Sequence, residues 1–235
     1  MVLLGTIINA VLIIIGSIIG RFFKNIPEKM KNTVLSIIGL AVAVLGIQMG
    51  LETSNFIIVI ISLVVGAVIG EWLDLDSLLN RFGKWLELKL GKKDSNNGIA
   101  EGFVTATLIF VIGSMGIIGA LDGGLRNDHA VLITKGIIDG FTSIVLASTL
   151  GIGVLLSAFP VFIYQGTIAI FAGLISKYIP EEGLNLFIQE MTATGGIMIL
   201  AIGLNIAGLT KIRVANLLPG IVVVAFIIAI MFSFQ

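Results

Sequence analysis

The chain has 235 residues, of which 57% are apolar and 29 more are glycine, while only 12% carry charge and the mean hydropathy is +1.13. Soluble domains carry charge on ~25% of their residues, so an ordinary soluble fold is excluded. The absence of cysteine and the single histidine, His129, exclude disulfide frameworks, thiolate metal sites, thiol nucleophiles and multi-histidine zinc chemistry.

The first apolar run, residues 2–20, has no positive segment before it; Arg21, Lys24, Lys29 and Lys31 come after it. A cleavable secretory signal has the opposite order and a small-residue cleavage site, so this run is read as an uncleaved first span that starts outside. Further runs at 33–50, 55–72, 99–120, 131–153, 158–177, 187–208 and 215–233 give an expected total of eight spans. Eight helices of ~20 residues place ~160 residues in lipid, which accounts for the apolar and glycine share and leaves no soluble domain. Helices are required because lipid offers backbone groups no partner, and barrel strands would alternate in polarity. The loops after spans one, three and seven hold Arg21, Lys24, Lys29, Lys31, Arg81, Lys84, Lys89, Lys92, Lys93, Lys211 and Arg213, eleven of the fourteen basic residues. On the positive-inside rule both termini lie outside.

Between spans three and four, residues 77–90 place Leu78, Phe82, Trp85 and Leu86 on one helical face, with Asn80, Arg81, Lys84 and Glu87 elsewhere. This pattern predicts an interfacial helix on the cytoplasmic leaflet. The hydrophilic stretch 91–98 reads as a linker dividing the chain into a first membrane half, 1–90, and a second, 99–235. The segment Ile15-Gly-Ser-Ile-Ile-Gly20 echoes Ile112-Gly-Ser-Met-Gly-Ile-Ile-Gly119, and Phe103-Val-Thr-Ala-Thr107 echoes Glu190-Met-Thr-Ala-Thr194. If these mark repeats, spans one to three and four to six are inverted copies, a transporter signature.

Charges inside a bilayer cost ~2.5–3.5 kcal/mol at a helix centre on insertion scales, so each asks for a reason. Lys135 and Asp139 are four apart in span five and share a face; a structural ion pair and an ion or proton site are equal readings. Gly136 and Gly140 let another backbone approach that face. Asp122 ends span four among Gly113, Gly116, Gly119, Gly123 and Gly124, where a frayed helix would offer carbonyls to a cation; the plainer reading is a turn aspartate. Glu190 enters span seven at its first turn, either as a dipole partner or as part of a site. With Asn9, these residues from four helices would line one acidic vestibule in the outer half. Asn205, inside an apolar helix, is a ligand or an interhelical clamp. Tyr164-Gln165 and Gln48 are further polar insertions, read as structural. The small-xxx-small pairs Gly16/Gly20, Gly66/Gly70 and Gly136/Gly140 signal tight packing without naming partners.

There is no HExxH, no GxSxG and no Walker A loop, so no enzyme, no cofactor and no ATP-driven step is expected. With no basic surface domain, nucleic acid is not an expected partner either.

Gly5-Thr-Ile-Ile-Asn9, Gly70-Glu-Trp72, Gly119-Ala-Leu-Asp-Gly-Gly-Leu125, Lys135-Gly-Ile-Ile-Asp-Gly-Phe141, Tyr164-Gln-Gly166, Glu190-Met-Thr-Ala-Thr-Gly-Gly196, Gly203-Leu-Asn205 and Ile212-Arg-Val-Ala-Asn-Leu-Leu-Pro219 occur in that order. The set resembles the bacterial membrane family of domain of unknown function 554, the YqgA/YdfK-like proteins, over essentially the whole chain. Where that pattern often carries a polar residue before the span-four aspartate, this chain has Leu121. The resemblance implies a prokaryotic multi-pass plasma-membrane protein of transporter-like character with no assigned substrate.

The expectation is therefore an all-α integral membrane protein of about eight spans, working as a homo-oligomer. Its expected role is a secondary transporter or ion-conducting protein for a small cation or a proton-coupled polar solute. Asp139 and Asp122 are the expected ligands and Lys135 the internal counter-ion, with Glu190, Asn205 and Asn9 as further site residues. The alternative is a non-transporting scaffold or sensor subunit whose buried charges hold helices together.

Overall fold

The computed structural model describes residues 1–22, 28–79, 81, 85 and 99–233. Every regular element among them is helical: α1 (Leu4–Phe22), α2 (Glu28–Gly50), α3 (Phe56–Leu73), α4 (Ile99–Val111), α5 (Ser114–Leu125), α6 (Ala130–Leu150), the single turn α7 (Gly153–Leu156), α8 (Ala158–Tyr178), α9 (Glu181–Ile206), a 3-10 turn (Val214–Leu217) and α10 (Pro219–Ser233). Seven helical segments are long and apolar enough to cross a bilayer, and the α4–α5 pair makes an eighth when counted as one span. The all-α membrane class is thus as the sequence predicts. Residues 75–79 are helical, but most of the interfacial helix predicted over 77–90, and all of the 91–98 linker, lie outside the described residues.

The fourth and seventh spans depart most from the sequence reading. The fourth, predicted as one run over 99–120, is broken: α4 and α5 meet at a bend of 63°, with Gly113 between them at φ 134. That backbone conformation is open to glycine and closed to residues with a Cβ, so Gly113 ends α4 and α5 restarts after it. The seventh begins six residues earlier than predicted, at Glu181 rather than 187, because Pro180 precedes it and Glu181 and Glu182 occupy its first turn, where carboxylates complement the helix dipole.

The chain packs as two compact units that interleave in sequence. The first comprises residues Met1–Lys31, Leu79–Val111 and Met115–Lys177; the second comprises Asn32–Leu78, Ile112–Ser114 and Tyr178–Gln235. Each unit therefore draws helices from both sides of the 91–98 stretch.

In the first unit α1 lies along α6. Gly5 meets Leu132, Gly16 meets Gly140 and Ser143, and Gly20 meets Ile144 and Ala147. Partner numbers rise together, so the helices run parallel. A Cβ on Gly16 would collide with the Gly140 carbonyl oxygen, which is why small residues are needed for contact at backbone distance. The opposite face of α1 exposes Val11, Ile15 and Ile18, as a lipid-facing surface should. In the second unit the pairs Gly39 with Gly203 and Ala207, and Gly46 with Gly196 and Leu200, run in opposite order, so α2 and α9 are antiparallel. α3 crosses α10 and the 3-10 turn where Gly66 meets Gly220 and Gly70 meets Asn216.

Candidate functional site

α1, α5, α6 and α8 bring one polar cluster together inside the first unit. Asp139 is the tenth residue of α6, about 14 Å from the helix start at 1.5 Å per residue and so near the middle of the span. Lys135, one turn earlier on the same face, donates from Nζ to Asp139 Oδ2 at 2.6 Å, and both side chains are 7% exposed. Gly136, between them, lets α1 settle onto this turn, for its Cβ position lies 3.0 Å from Asn9 Cα. From there the Asn9 side chain reaches the Asp139 carboxylate and donates from Nδ2 to Gln165 Oε1 on α8 at 3.1 Å. α5 closes the cluster with Gly116, whose Cβ position is 3.5 Å from Lys135 Cε, 3.7 Å from Gln165 Nε2 and 3.8 Å from the Tyr164 ring at Cε1.

The cluster is under-satisfied. Asn9 Oδ1 and Gln165 Nε2 have no hydrogen-bond partner among the described residues, and neither do Thr6 Oγ1, one turn from Asn9, and Ser143 Oγ, one turn from Asp139. All four side chains are fully buried. A buried polar atom without a partner costs ~1–3 kcal/mol, so native proteins keep few of them outside sites that take up water, ions or solutes. His129, next to α6 at its N-cap position, is also buried, and neither ring nitrogen has a partner among the described residues.

The other expected site residues sit elsewhere and are engaged by the chain itself. Asp122, in the last turn of α5, pairs with Arg126 at 2.5 Å; the aspartate side chain is 16% exposed and the arginine 74%. Its own carbonyl accepts from the Arg126 and Asp128 backbone N–H groups, so the helix end it occupies is closed. Glu190 belongs to the second unit and is the tenth residue of α9, not a first-turn residue as the sequence suggested. Its fully buried carboxylate accepts from Thr53 Oγ1 at 2.5 Å, Ser54 N at 2.9 Å, Ser54 Oγ at 2.8 Å and Asn55 N at 3.1 Å. It thereby holds the turn that starts α3, where Asn55 caps the helix. Asn205 does the same for the segment after α9: it donates to Ile212 O at 2.7 Å and accepts from Thr210 Oγ1 at 2.7 Å and Ile212 N at 2.9 Å. Among the described residues no three carboxylates or histidines gather into one group.

The expected residues that do converge are Asn9, Lys135 and Asp139. Sequence reasoning set Gln165 aside as structural and did not single out Thr6, Ser143 or Gly116 as site residues. The signal at Gln165 was a glutamine inside an apolar run, but Gln48 carries the same signal and is exposed.

No solved structure matches the chain. Among curated proteins it is 38% identical over 235 residues to the uncharacterized membrane protein YdfK of Bacillus subtilis (strain 168), covering 98% of this chain and 97% of that one. It is 30% identical over 222 residues to the uncharacterized protein YqgA of Escherichia coli (strain K12), covering 93% of each. The family model for a protein of unknown function, DUF554, matches residues 4–229, and the chain belongs to that family.

Proposed function

We propose that this membrane protein is a secondary transporter or ion-conducting protein for a small cation or a proton-coupled polar solute, with Asn9, Lys135, Asp139 and Gln165 as its site. The observation that carries this reading is a buried ion pair at mid-span surrounded by polar atoms without partners. A purely structural pair gains by having every neighbouring polar atom satisfied; a site that exchanges its contents leaves atoms for the incoming species. The broken fourth span supports the same reading, because transporters place interrupted helices at midplane sites. In operation Lys135 neutralises Asp139 while the site is unloaded. A cation or proton arriving at Asp139 displaces the ammonium, and the cluster stays neutral only when Lys135 gives up its own proton to water or an anion enters with the cation. The distribution of basic loop residues supports termini on the outer side of a bacterial plasma membrane.

Because the chain contains no cysteine, Ser143→Cys gives a unique thiol beside Asp139. In reconstituted protein a small, permanently charged thiol reagent should label it from at least one side. Phe141→Cys, on a face that is 68% exposed in the molecule and turned to lipid, should stay unlabelled. A Ser143→Cys protein that is folded and unlabelled from both sides would show a core that is dry at rest and never opens to water, and would leave the scaffold reading standing.

A further inference from the structure

Two polar pairs flank Lys135 and Asp139 along the seam between α1 and α6, and they are built alike. Toward the start of α6, Gly5 seats His129, whose Cβ lies 3.3 Å from the Gly5 Cβ position, and the next residue of α1 is Thr6. Toward the end of α6, Gly16 seats Ser143, whose Cβ lies 3.1 Å from the Gly16 Cβ position, and the next residue of α1 is Ser17. All four side chains are buried, and none of their polar atoms has a partner among the described residues. From His129 to Ser143 the seam covers about 21 Å at 1.5 Å per residue, most of a hydrocarbon core of ~30 Å. Unanswered hydroxyls are the exception on these helices. On α6, Thr134, Thr142, Ser148 and Thr149 each donate to a carbonyl of their own helix, the usual resort of a hydroxyl in an apolar helix. Ser143, which meets α1, does not, and neither hydroxyl of α1 does.

Buried polar groups that the protein does not answer are answered by ordered water, so this string of groups takes single waters between its members. A metal cation needs several oxygens in one shell; here the groups follow one another along the helices, and no three carboxylates or histidines gather among the described residues. Donors and acceptors are also mixed throughout. A hydroxyl does both, a neutral imidazole has one nitrogen of each kind, and Asn9 gives Nδ2 to Gln165 while Oδ1 stays open. Such a string suits a proton, which needs no cavity of its own and passes along hydrogen bonds, as in the relays that intramembrane polar residues form. The groups facing the ion pair from other helices are Asn9, Gln165 and the Tyr164 ring. At the His129 end the charges are already engaged: Asp122 with Arg126, Asp128 with the Ala130 N–H, and the N-terminal ammonium with Asn127. Glu101 on α4 stays in that helix's first turn. At the other end, exposed Arg21 lies one turn beyond Ser17.

We infer that the α1–α6 seam conducts protons, with His129 and Thr6 feeding one side of the Lys135–Asp139 pair and Ser143 and Ser17 draining the other. This deepens the transport reading and rests on it, naming the proton as the ion that moves. The order along α6 makes the pair a two-sided relay, since Lys135 faces the His129 leg and Asp139 the Ser143 leg. The proton on Nζ passes to Oδ2 across their 2.6 Å hydrogen bond: an N–H bond breaks, an O–H bond forms, and both groups become neutral. The Asp139 acid then gives its proton to water on the Ser143 leg, and the Lys135 amine takes one from water on the His129 leg. The ion pair is restored with one proton carried across, no electron transferred and no more than one net charge in the cluster at any step. Run in reverse, the same steps carry a proton the other way.

The test is proton entry into liposomes that hold the full chain and a trapped pH-sensitive dye, driven by a potassium diffusion potential. Liposomes with the parent protein should acidify faster than empty ones. Asp139→Asn should abolish the difference, but it also strands the Lys135 charge in the fold, so two serine variants carry the test. Ser143→Ala and Ser17→Ala each remove a hydroxyl that holds no partner among the described residues. They should slow proton entry several-fold with a melting temperature unchanged or raised, because no hydrogen bond within the fold is lost. Ser148→Ala is the control: its hydroxyl is engaged by Val145 O at 2.8 Å, and the rate should stay at the parent value. Serine variants that conduct like the parent, or parent liposomes no faster than empty ones, would overturn the inference. If the parent conducts no protons while Ser143→Cys is labelled, the proton assignment falls and the transport reading stands. If neither is seen, both fall.

Discussion

Among the described residues two ion pairs have the same i, i+4 spacing and opposite surroundings, which turns the buried one into a measurable claim. Asp122 and Arg126 sit at a helix end with the arginine 74% exposed; Lys135 and Asp139 sit at mid-span, each 7% exposed. Exposed i, i+4 pairs are worth ~0.3–0.5 kcal/mol, so Asp122→Asn should be close to neutral. Removing one partner of a buried pair leaves the other as an uncompensated charge, at a cost of ~3–5 kcal/mol. Lys135→Met should pay this in full, because the Asp139 carboxylate then keeps only Asn9 beside it. Asp139→Asn strands the ammonium in the same way. The two changes together, Lys135→Met with Asp139→Leu, remove both charges and should fall within ~1 kcal/mol of the parent or exceed it, as buried pairs replaced by apolar residues do.

At ~2–4 °C per kcal/mol for a chain of this size, the single variants should melt at least ~6 °C below the parent in detergent and the double variant near it. The double variant should also be inert in every transport assay. If Lys135→Met costs no more than Asp122→Asn, the pair is not dry in the resting protein and the argument from burial fails. If the double variant is as unstable as the singles, the loss comes from packing and not from charge.

Glu190→Ala removes four hydrogen bonds to the turn before α3 and should cost ~3 kcal/mol or more, whereas Glu190→Gln, which keeps one carboxamide oxygen as an acceptor, should cost about half of that; protease sensitivity of the 51–55 turn reports both, and equal effects would count against the charge-assisted bonds. Asn205→Ala should cost ~1–3 kcal/mol and speed amide exchange at Ile212, whose N–H it holds at 2.9 Å; unchanged exchange there would refute the clamp. Gly16→Ala drives a methyl into the Gly140 carbonyl oxygen and should destabilise by ~1–3 kcal/mol, a loss visible in the melting temperature; an unchanged melting temperature would refute the close α1–α6 contact.

The reasons some of this was legible in the sequence and some was not are physical. Apolar runs fix spans because a bilayer gives a helix no other way to satisfy its backbone, and so the eight runs were readable from composition alone. Lys135 and Asp139 were readable as a pair because helical geometry stacks residues four apart, whatever surrounds them. The fourth span's break was hidden because Gly113 is one of five glycines in a row of candidates, and only its neighbours decide which of them turns to positive φ. The site itself was half hidden for a related reason. Hydropathy does not say which face of a uniformly apolar helix looks inward, so Gln165 and Gln48 read alike, although one is buried against Asn9 and the other is exposed. Glu190 and Asn205 misled in the opposite direction. A polar residue in an apolar helix must be paid for by a partner, but the partner here is the chain's own turn in each case. What separates Asn9 and Gln165 from those two is that, after all their contacts within the described residues are made, each still holds one buried polar atom unanswered. That residue of unsatisfied hydrogen bonding is a property of assembled helices, and the proposed site rests on its gathering around the buried ion pair, since single buried atoms without a partner among the described residues also occur elsewhere, at Ser62, Thr107, Thr194 and Asn216.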